Sequence, residues 1–364
     1  MSFTTTYAVY LNSTQPAGTY TGQVKYIMLH PSSATRPTTI DQAFALAGKS
    51  KVDITDPTTG ETKSYYKMQD MTTSICDAVN VFDSASETEL VDIRDNKIYW
   101  VAKLHTDKNN DNIGQCWMTE NLDLDLISDP QAEEYIALTS ENTNLKIYGS
   151  TGYTTTHGYT CSNDSPTCEN GVITWLPERS TISPSELNST TWKNNTMDPY
   201  SYDRGLYAPN REMDGHGYTG NYYNWTAAIA SNYSGNYGSG VAANSICPKG
   251  WRLPRTTSIV GSYEFSKLFY AYGISTDDKN TNGYATSGYN KLVNSPLYFV
   301  QSGRVNVGSL DSSDTGYYAS STIYNSSHAN YLQFSNNTLM PNQGNTTNTN
   351  FSRQFGWSLR CLAE

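Results

Sequence analysis

Cysteine and histidine are the residues of this chain best equipped for nucleophilic or metal chemistry, and their spacing decides how much of that chemistry is open to them. Cys161 and Cys168 close a short loop around Ser-Asn-Asp-Ser-Pro-Thr, for which a zinc site is the competing use. No second CxxC-type pair or histidine cluster accompanies them, so the six cysteines read as disulfides. Cys76 with Cys116 and Cys247 with Cys361 are the natural remaining pairs, and the sequence leaves the connectivity open. The five histidines, at 30, 105, 157, 216 and 328, are scattered; the chain has no His-Glu-x-x-His, no Gly-x-Ser-x-Gly and no phosphate-cradling glycine loop. His216, in Asp214-Gly-His-Gly217, reads as a turn residue. Glu133 and Glu134 are adjacent, so their carboxyls point apart, as on a solvated helix face rather than in a glycosidase pair. No enzymatic activity is expected. Asp107, Asn109 and Asp111 place oxygens at alternate positions, as calcium loops do, but Met118 stands where the bidentate glutamate belongs. An extended hairpin between Leu104 and Gln115 is the plainer reading and a calcium site the other.

Reversible contact with a large ligand is a different chemistry, and the last fifth of the chain has the residues for it. Tyr324-Asn-Ser-Ser-His-Ala-Asn-Tyr331 is followed by further asparagines, before the chain closes on Phe355-Gly-Trp-Ser-Leu-Arg-Cys361. Paratopes use this vocabulary: tyrosine gives contact area at little rotamer cost, while asparagine and serine adapt their hydrogen bonds. The candidate contact residues in the first part of the segment are Ala319, Ile323, Tyr324, Asn325, Ser327, His328, Asn330 and Tyr331. Those in the second are Asn336, Asn337, Asn342, Asn345, Asn348, Asn350, Ser352, Arg353 and Trp357. The expected partner is a macromolecule, a protein or glycan on another cell or a phage.

Composition narrows the alternatives. With 29 Tyr, 7 Trp and 9 Phe at a net charge of -10, the chain lacks the signature of disorder and fits a β-rich protein with wet loops. A pI near 5.0 without a Lys/Arg cluster removes the electrostatic basis for nucleic-acid binding and leaves no polybasic patch for anionic lipid. The even cysteine count in a Thr/Asn/Tyr/Gly-rich chain points to an oxidising, extracellular compartment and cell-surface display. No run of about 20 apolar residues spans a membrane, and direct insertion is not expected. Met1-Ser-Phe-Thr-Thr-Thr is not a signal peptide, so an export signal and anchor are expected upstream.

The elements that must position these residues are short. Residues 7–12 and 19–29 form an N-terminal β-hairpin within 1–35, like the terminal hairpin of a β-sandwich. Residues 36–87 read as a linker and irregular segment, with helical turns at 40–47 and turns at 53–63. Residues 88–364 read as the ligand-binding domain, with a loop-rich insertion at about 140–220 and a helix start at Ser183-Pro-Ser-Glu186. Residues 90–104 alternate as two strands about Asp95-Asn96, and 115–122 add a third. Short helices are expected at 224–231 and 262–272, the second with Phe265, Leu268, Phe269 and Tyr272 on one face. The class is α+β, with mostly antiparallel short strands in a mixed arrangement, two short helices and long loops.

Five motifs carry a resemblance. Gln115-Cys-Trp-Met-Thr-Glu-Asn-Leu-Asp123, Tyr223-Asn-Trp-Thr-Ala-Ala228, Cys247-Pro-Lys-Gly-Trp-Arg-Leu-Pro254, Tyr318-Ala-Ser-Ser-Thr322 and Gly356-Trp-Ser-Leu-Arg-Cys361 occur in that order. Together they resemble the Fibrobacter major-paralogous domain family over residues of about 88–364, a family that looks like a C-type-lectin fold related to the formylglycine-generating enzyme. The family pattern has tryptophan where Ala319 stands. Formylglycine-generating relatives act through a reactive cysteine pair, and disulfide use of all six cysteines leaves none for it. Members of this fold group also serve as variable proteins of diversity-generating retroelements, whose reverse transcriptase rewrites adenines near the 3′ end of the gene. Adenine replacement in AAC-type codons yields Asn, Tyr, Ser, His, Asp, Ile and Thr, the residue set between Ile323 and Trp357. The resemblance thus implies a C-type-lectin-like scaffold with a diversified binding face at about 317–357; an invariant carbohydrate-binding lectin or adhesin is the alternative.

Overall fold

The computed structural model describes residues 36–110, 112–124, 220, 222–223, 225–229, 240–242, 245–256, 264–274, 286–306, 309–311, 314–324, 328–343 and 355–364, with the backbone of five short strands between 137 and 174. The chain divides into two units, Met1–Thr35 and Arg36–Glu364. The first unit, with its expected hairpin, lies outside the described residues, as do the helix start at Ser183 and the partner of Cys161. The second is α+β, and it begins well before residue 88.

Its first strands are β1 (Val52–Thr55), β2 (Thr62–Lys67), β3 (Thr88–Asp92), β4 (Lys97–His105) and β5 (Gly114–Met118). The inserted region contributes β6 (Ala137–Thr139), β7 (Tyr153–Thr154), β8 (Thr160–Ser162), β9 (Ser165–Thr167) and β10 (Val172–Thr174). After it come β11 (Gly240–Val241), β12 (Trp251–Arg252), β13 (Arg304–Asn306) and β14 (Ser309–Asp311). The C-terminal strands are β15 (Gly316–Ile323), β16 (Ala329–Phe334), β17 (Leu339–Gln343) and β18 (Leu362–Ala363). The helices among the described residues are α1 (Ile40–Leu46), α2 (Thr73–Ala78), α3 (Trp225–Ala228), α4 (Glu264–Ala271) and α5 (Thr286–Val293). Two sheets position the C-terminal segment: a seven-stranded one in the order β1-β2-β3-β4-β5-β18-β12, and a four-stranded one in the order β11-β15-β16-β17.

The expectation that 36–87 is a linker is corrected by local chemistry. Thr39 caps α1 by accepting the Gln42 N–H, and Ile40, Ala43 and Phe44 bury one face at helical spacing. The helix ends on Gly48 at φ +70°, with the Gly48 N–H on Ala45 and the Lys49 N–H on Phe44, so the orphan carbonyls of the last turn are satisfied. The segment then forms the β1–β2 hairpin and enters the sheet through parallel pairing of Tyr66 and Lys67 with Leu90 and Val91. Ile40, Phe44, Tyr66 and Met68 share one core with Tyr223, Trp225, Trp251 and Trp357. The count of two short helices is likewise too low. The Asn-rich stretch hiding α5 is poor in apolar residues, and among its described side chains Leu292 alone is fully buried.

Each major strand serves two cores. In β4, Tyr99 and Val101 face the first core, while Ala102 and Leu104 face a second built on Trp117, Phe265, Leu268 and Phe299. The same alternation sends Tyr317, Ala319 and Ile323 of β15 to the first core and Tyr318 to the second. A strand buried on both faces has no solvent side to spare.

Two of the expected disulfides are present, Cys76–Cys116 and Cys247–Cys361, joining residues 40 and 114 apart in sequence. Cys247 opens the turn Pro248–Gly250, where Gly250 at φ +79° lies so close to Met71 that a Cβ would come within 2.5 Å of its carbonyl oxygen. Behind that turn a fully buried ion pair, Arg94 to Asp92 at 2.6 Å, also donates to the Ile246 carbonyl and accepts from Gln69. Loop-entropy arithmetic gives a test: replacing Cys247 and Cys361 with serine is expected to lower unfolding free energy by about 5 kcal/mol, and replacing Cys76 and Cys116 by about 4 kcal/mol. Denaturant midpoints measure both. Losses under ~1 kcal/mol would show that the bridges do not restrain the unfolded chain.

Candidate ligand-binding surface

The C-terminal segment folds mainly into β15, β16 and β17, so strand geometry decides which of its residues meet solvent. β15 and β16 pair antiparallel from Gly316↔Phe334 to Ile323↔Ala329, with a register shift between Ala319 and Ile323. Gly316 is required: a Cβ there would sit 2.1 Å from the Phe334 ring. β11 adds to the other edge of β15 through Gly240↔Ile323 and Val241↔Thr322.

Several expected contact residues turn out to be support. Ala319, Tyr331 and Trp357 have no exposed surface, and Ile323 and Asn330 are buried as well. A side chain without exposed surface cannot touch a macromolecule, so Ala319, Tyr331 and Trp357 hold the surface up instead of forming it. Tyr331 stacks on Trp357 with ring centroids 5.2 Å apart, and desolvation pushes its phenol well above the ordinary range. Arg304 lies over the rings of Tyr317 and Phe355 at 5.0 and 4.9 Å, completing an aromatic layer that the sequence did not single out. Trp357 also pairs through its backbone with Tyr223, each N–H on the other's carbonyl at 2.9 Å. Ala319 sits opposite Tyr331 and donates its N–H to the Ser358 carbonyl.

On the other face of β15, beyond Tyr318, the side chains are polar. The Ser320 hydroxyl donates to the Asn330 carbonyl at 2.6 Å and lies 3.1 Å from the Thr256 hydroxyl, while the Thr256 N–H donates to the Thr322 hydroxyl at 2.8 Å. The Asn330 side-chain oxygen finds no hydrogen-bond partner among the described residues.

What remains outward-facing falls into two places. Tyr324 and His328, both half-buried, flank the β15–β16 connection and are joined by the Tyr324 N–H on the His328 carbonyl at 3.1 Å. Val241, 43% exposed, lies on the adjacent β11. Asn336 and Asn337 are exposed in the β16–β17 turn, closed by the Ser335 N–H on Thr338. These turns sit at opposite ends of the six-residue β16, about 20 Å apart. A segment continuous in sequence therefore does not make one continuous patch from these residues. Asn325, Ser327, Asn345, Asn348, Asn350, Ser352 and Arg353, and the side chain of Asn342, lie outside the described residues.

The frame below is tied by Arg360, which is fully buried and donates to the carbonyls of Leu297 and Tyr298 and to the Asn121 side chain. Its guanidinium lies 4.2 Å from the Phe299 ring centroid. Desolvation draws it down to about 10, still cationic at neutral pH, with Tyr318 and Glu120 opposing that shift. Glu120, buried and accepting the Trp100 N–H, is raised to about 7 chiefly by desolvation.

The segment weighed as a calcium loop shows local turns. Asp107 accepts the Asn109 N–H at 2.8 Å and Asn110 the Asn112 N–H at 3.0 Å, within a hairpin in which β4 and β5 pair as far as His105↔Gly114. Asp111 lies outside the described residues, and among those described no three of His, Cys, Asp and Glu gather as a metal would need. His216, Glu133 and Glu134 also lie outside them. Compared with known protein families, curated proteins and solved structures, the chain finds no match in any of the three.

This placement leads to two measurements. Asn336→Tyr is expected to change stability by no more than about 0.5 kcal/mol, as surface changes do, whereas Trp357→Ala should cost about 3–5 kcal/mol and Ala319→Trp about 1–3 kcal/mol by overpacking. Equal losses at 336 and 357 in thermal melts would mean the turn is structural. The second concerns Glu120, which holds its proton more tightly folded than unfolded. Stability is thus expected to fall as pH rises from 4.5 to about 7, then level off, by on the order of 3 kcal/mol. Glu120→Gln should flatten that slope, and a wild-type curve with no slope there would refute the assignment.

Proposed function

We propose that this chain is a non-catalytic binding protein with a C-type-lectin-like scaffold, displayed outside the cell, whose C-terminal connections form a ligand-binding face varied by a diversity-generating retroelement. One observation carries the reading. The segment is clamped at both ends, with β15 buried along its whole length and 355–363 buried and bridged by Cys247–Cys361, while much of the Asn/Ser/Tyr vocabulary lies between them in sequence. Such a division lets side chains change where strands turn without disturbing the cores beneath.

The contact set is accordingly narrower than the segment: Tyr324, Asn325, Ser327 and His328, with Asn342, Asn345, Asn348, Asn350, Ser352 and Arg353. The partner is a protein or glycan. Disulfides fit an oxidising compartment, and no helix among the described residues is long and apolar enough to cross a membrane. An invariant carbohydrate-binding lectin or adhesin is the second reading, for which outward-facing Tyr324 and the asparagines of the segment would also serve.

The neighbouring DNA gives the direct test. A near-copy of the codons for 317–361, differing almost only at adenines and adjoining a reverse-transcriptase gene, is expected. Its absence from the surrounding genome would remove the diversification claim. Substitutions among sibling copies should fall on the contact set named above and spare Ala319, Tyr331 and Trp357.

A further inference from the structure

A second surface lies at the other end of the seven-stranded sheet and owes nothing to the C-terminal segment. β2 meets β3 only through Tyr66 and Lys67, so the rest of the β1–β2 hairpin stands beyond that pairing. β1 ends the sheet, and among the described residues no strand pairs with its outer edge. An open edge offers a row of backbone donors and acceptors to an incoming extended chain.

Beside the hairpin is a groove of about 650 Å³, reaching to the β3–β4 turn. Its charge is one-sided: Asp53, Asp56, Glu61 and Asp95 line it against the single cation Lys63, itself 3.6 Å from Glu61. The Asp56 carboxyl is held below its ordinary range by the Thr58 N–H and so stays ionised. Ile54, Tyr65 and Ile98 supply apolar surface between these charges. That combination suits lysine and arginine, whose aliphatic stems lie along apolar surface and whose charged heads reach carboxylates or an aromatic face. A second copy of this chain is a poor occupant, because edge-to-edge pairing brings the same carboxylates together, and like charges facing across strands are destabilising.

We propose that the outer edge of β1 and this acidic groove bind an extended, lysine- or arginine-bearing peptide of another protein, added as a further strand. The main chain would pair with β1 while alternate basic side chains enter the groove. The proposal is independent of the variable-face reading and stands or falls separately from it.

Two labelled ten-residue peptides, one alternating Lys with Val and one alternating Glu with Val, test this by fluorescence anisotropy, with hydrogen exchange followed over residues 50–66. The Lys/Val peptide is expected to bind, to slow amide exchange within Val52–Thr55, and to bind at least about ten-fold more tightly than the Glu/Val peptide, which corresponds to ~1.4 kcal/mol. Raising salt from about 50 to about 500 mM should weaken it, since the contributing charges are exposed. Asp53→Lys with Glu61→Lys should weaken it at least about ten-fold, while Asn336→Lys leaves it unchanged. No binding at millimolar peptide, equal affinity for both peptides, or binding without protection at 52–55 would each overturn the proposal. The salt series and exchange pattern use the unmodified protein, so the test does not depend on the variant folding.

Discussion

The closing of the chain on itself at β18 is the constraint on which the rest of the structure depends. This two-residue strand lies between β5 and β12, pairing Leu362 with Trp117 and with Arg252. Hydrogen bonds just outside it extend the seam, from the Met118 N–H to Cys361, the Leu122 N–H to Leu359 and the Glu364 N–H to Gly250. Arg360 works on the same stretch. A buried guanidinium without partners would cost several kcal/mol, and here backbone carbonyls, an amide and aromatic rings surround it. The charge thereby fixes the 297–299 loop against the terminal strand, and the loop carries Phe299 into the second core.

From that closure comes the division between what can and cannot vary. β15 lies beside the closed frame, bridged from Tyr318 to Ser358, with the first core on one side and the second core and the Ser320–Thr256 hydroxyls on the other. A residue on such a strand answers to two neighbours whichever way it points. Among the described residues, that double obligation lapses where the chain leaves the sheet, after Ile323 and after Phe334.

Much of this arrangement was legible in sequence because local rules suffice for it. The Asp95-Asn96 turn sets the β3–β4 hairpin, with Asn96 at φ +61°, and the spacing of Phe265, Leu268 and Phe269 marks the buried face of α4. The natural cysteine pairs also stand. Burial within the C-terminal segment was not legible, because Asn330 and Tyr331 have the same residue types as the outward-facing residues and only β16's alternation and its cores tell them apart. Nor was the division of its exposed residues between two ends of one strand, since a list of candidate positions carries no distances. The 36–87 segment misled for another reason: its strands are four and six residues long and mostly solvated, so they show no hydrophobic run, and their anchorage depends on residues far along the chain.

The order of synthesis gives the β18 seam one more consequence. Every partner of this strand is made before it, so Cys247 cannot close its bridge before Cys361 is made, and the sheet keeps an open slot between Trp117 and Trp251 until the strand is delivered. A product that stops before Arg360 lacks the strand, the thiol and the guanidinium together, and Trp117 and Trp251 lose the strand that lies between them.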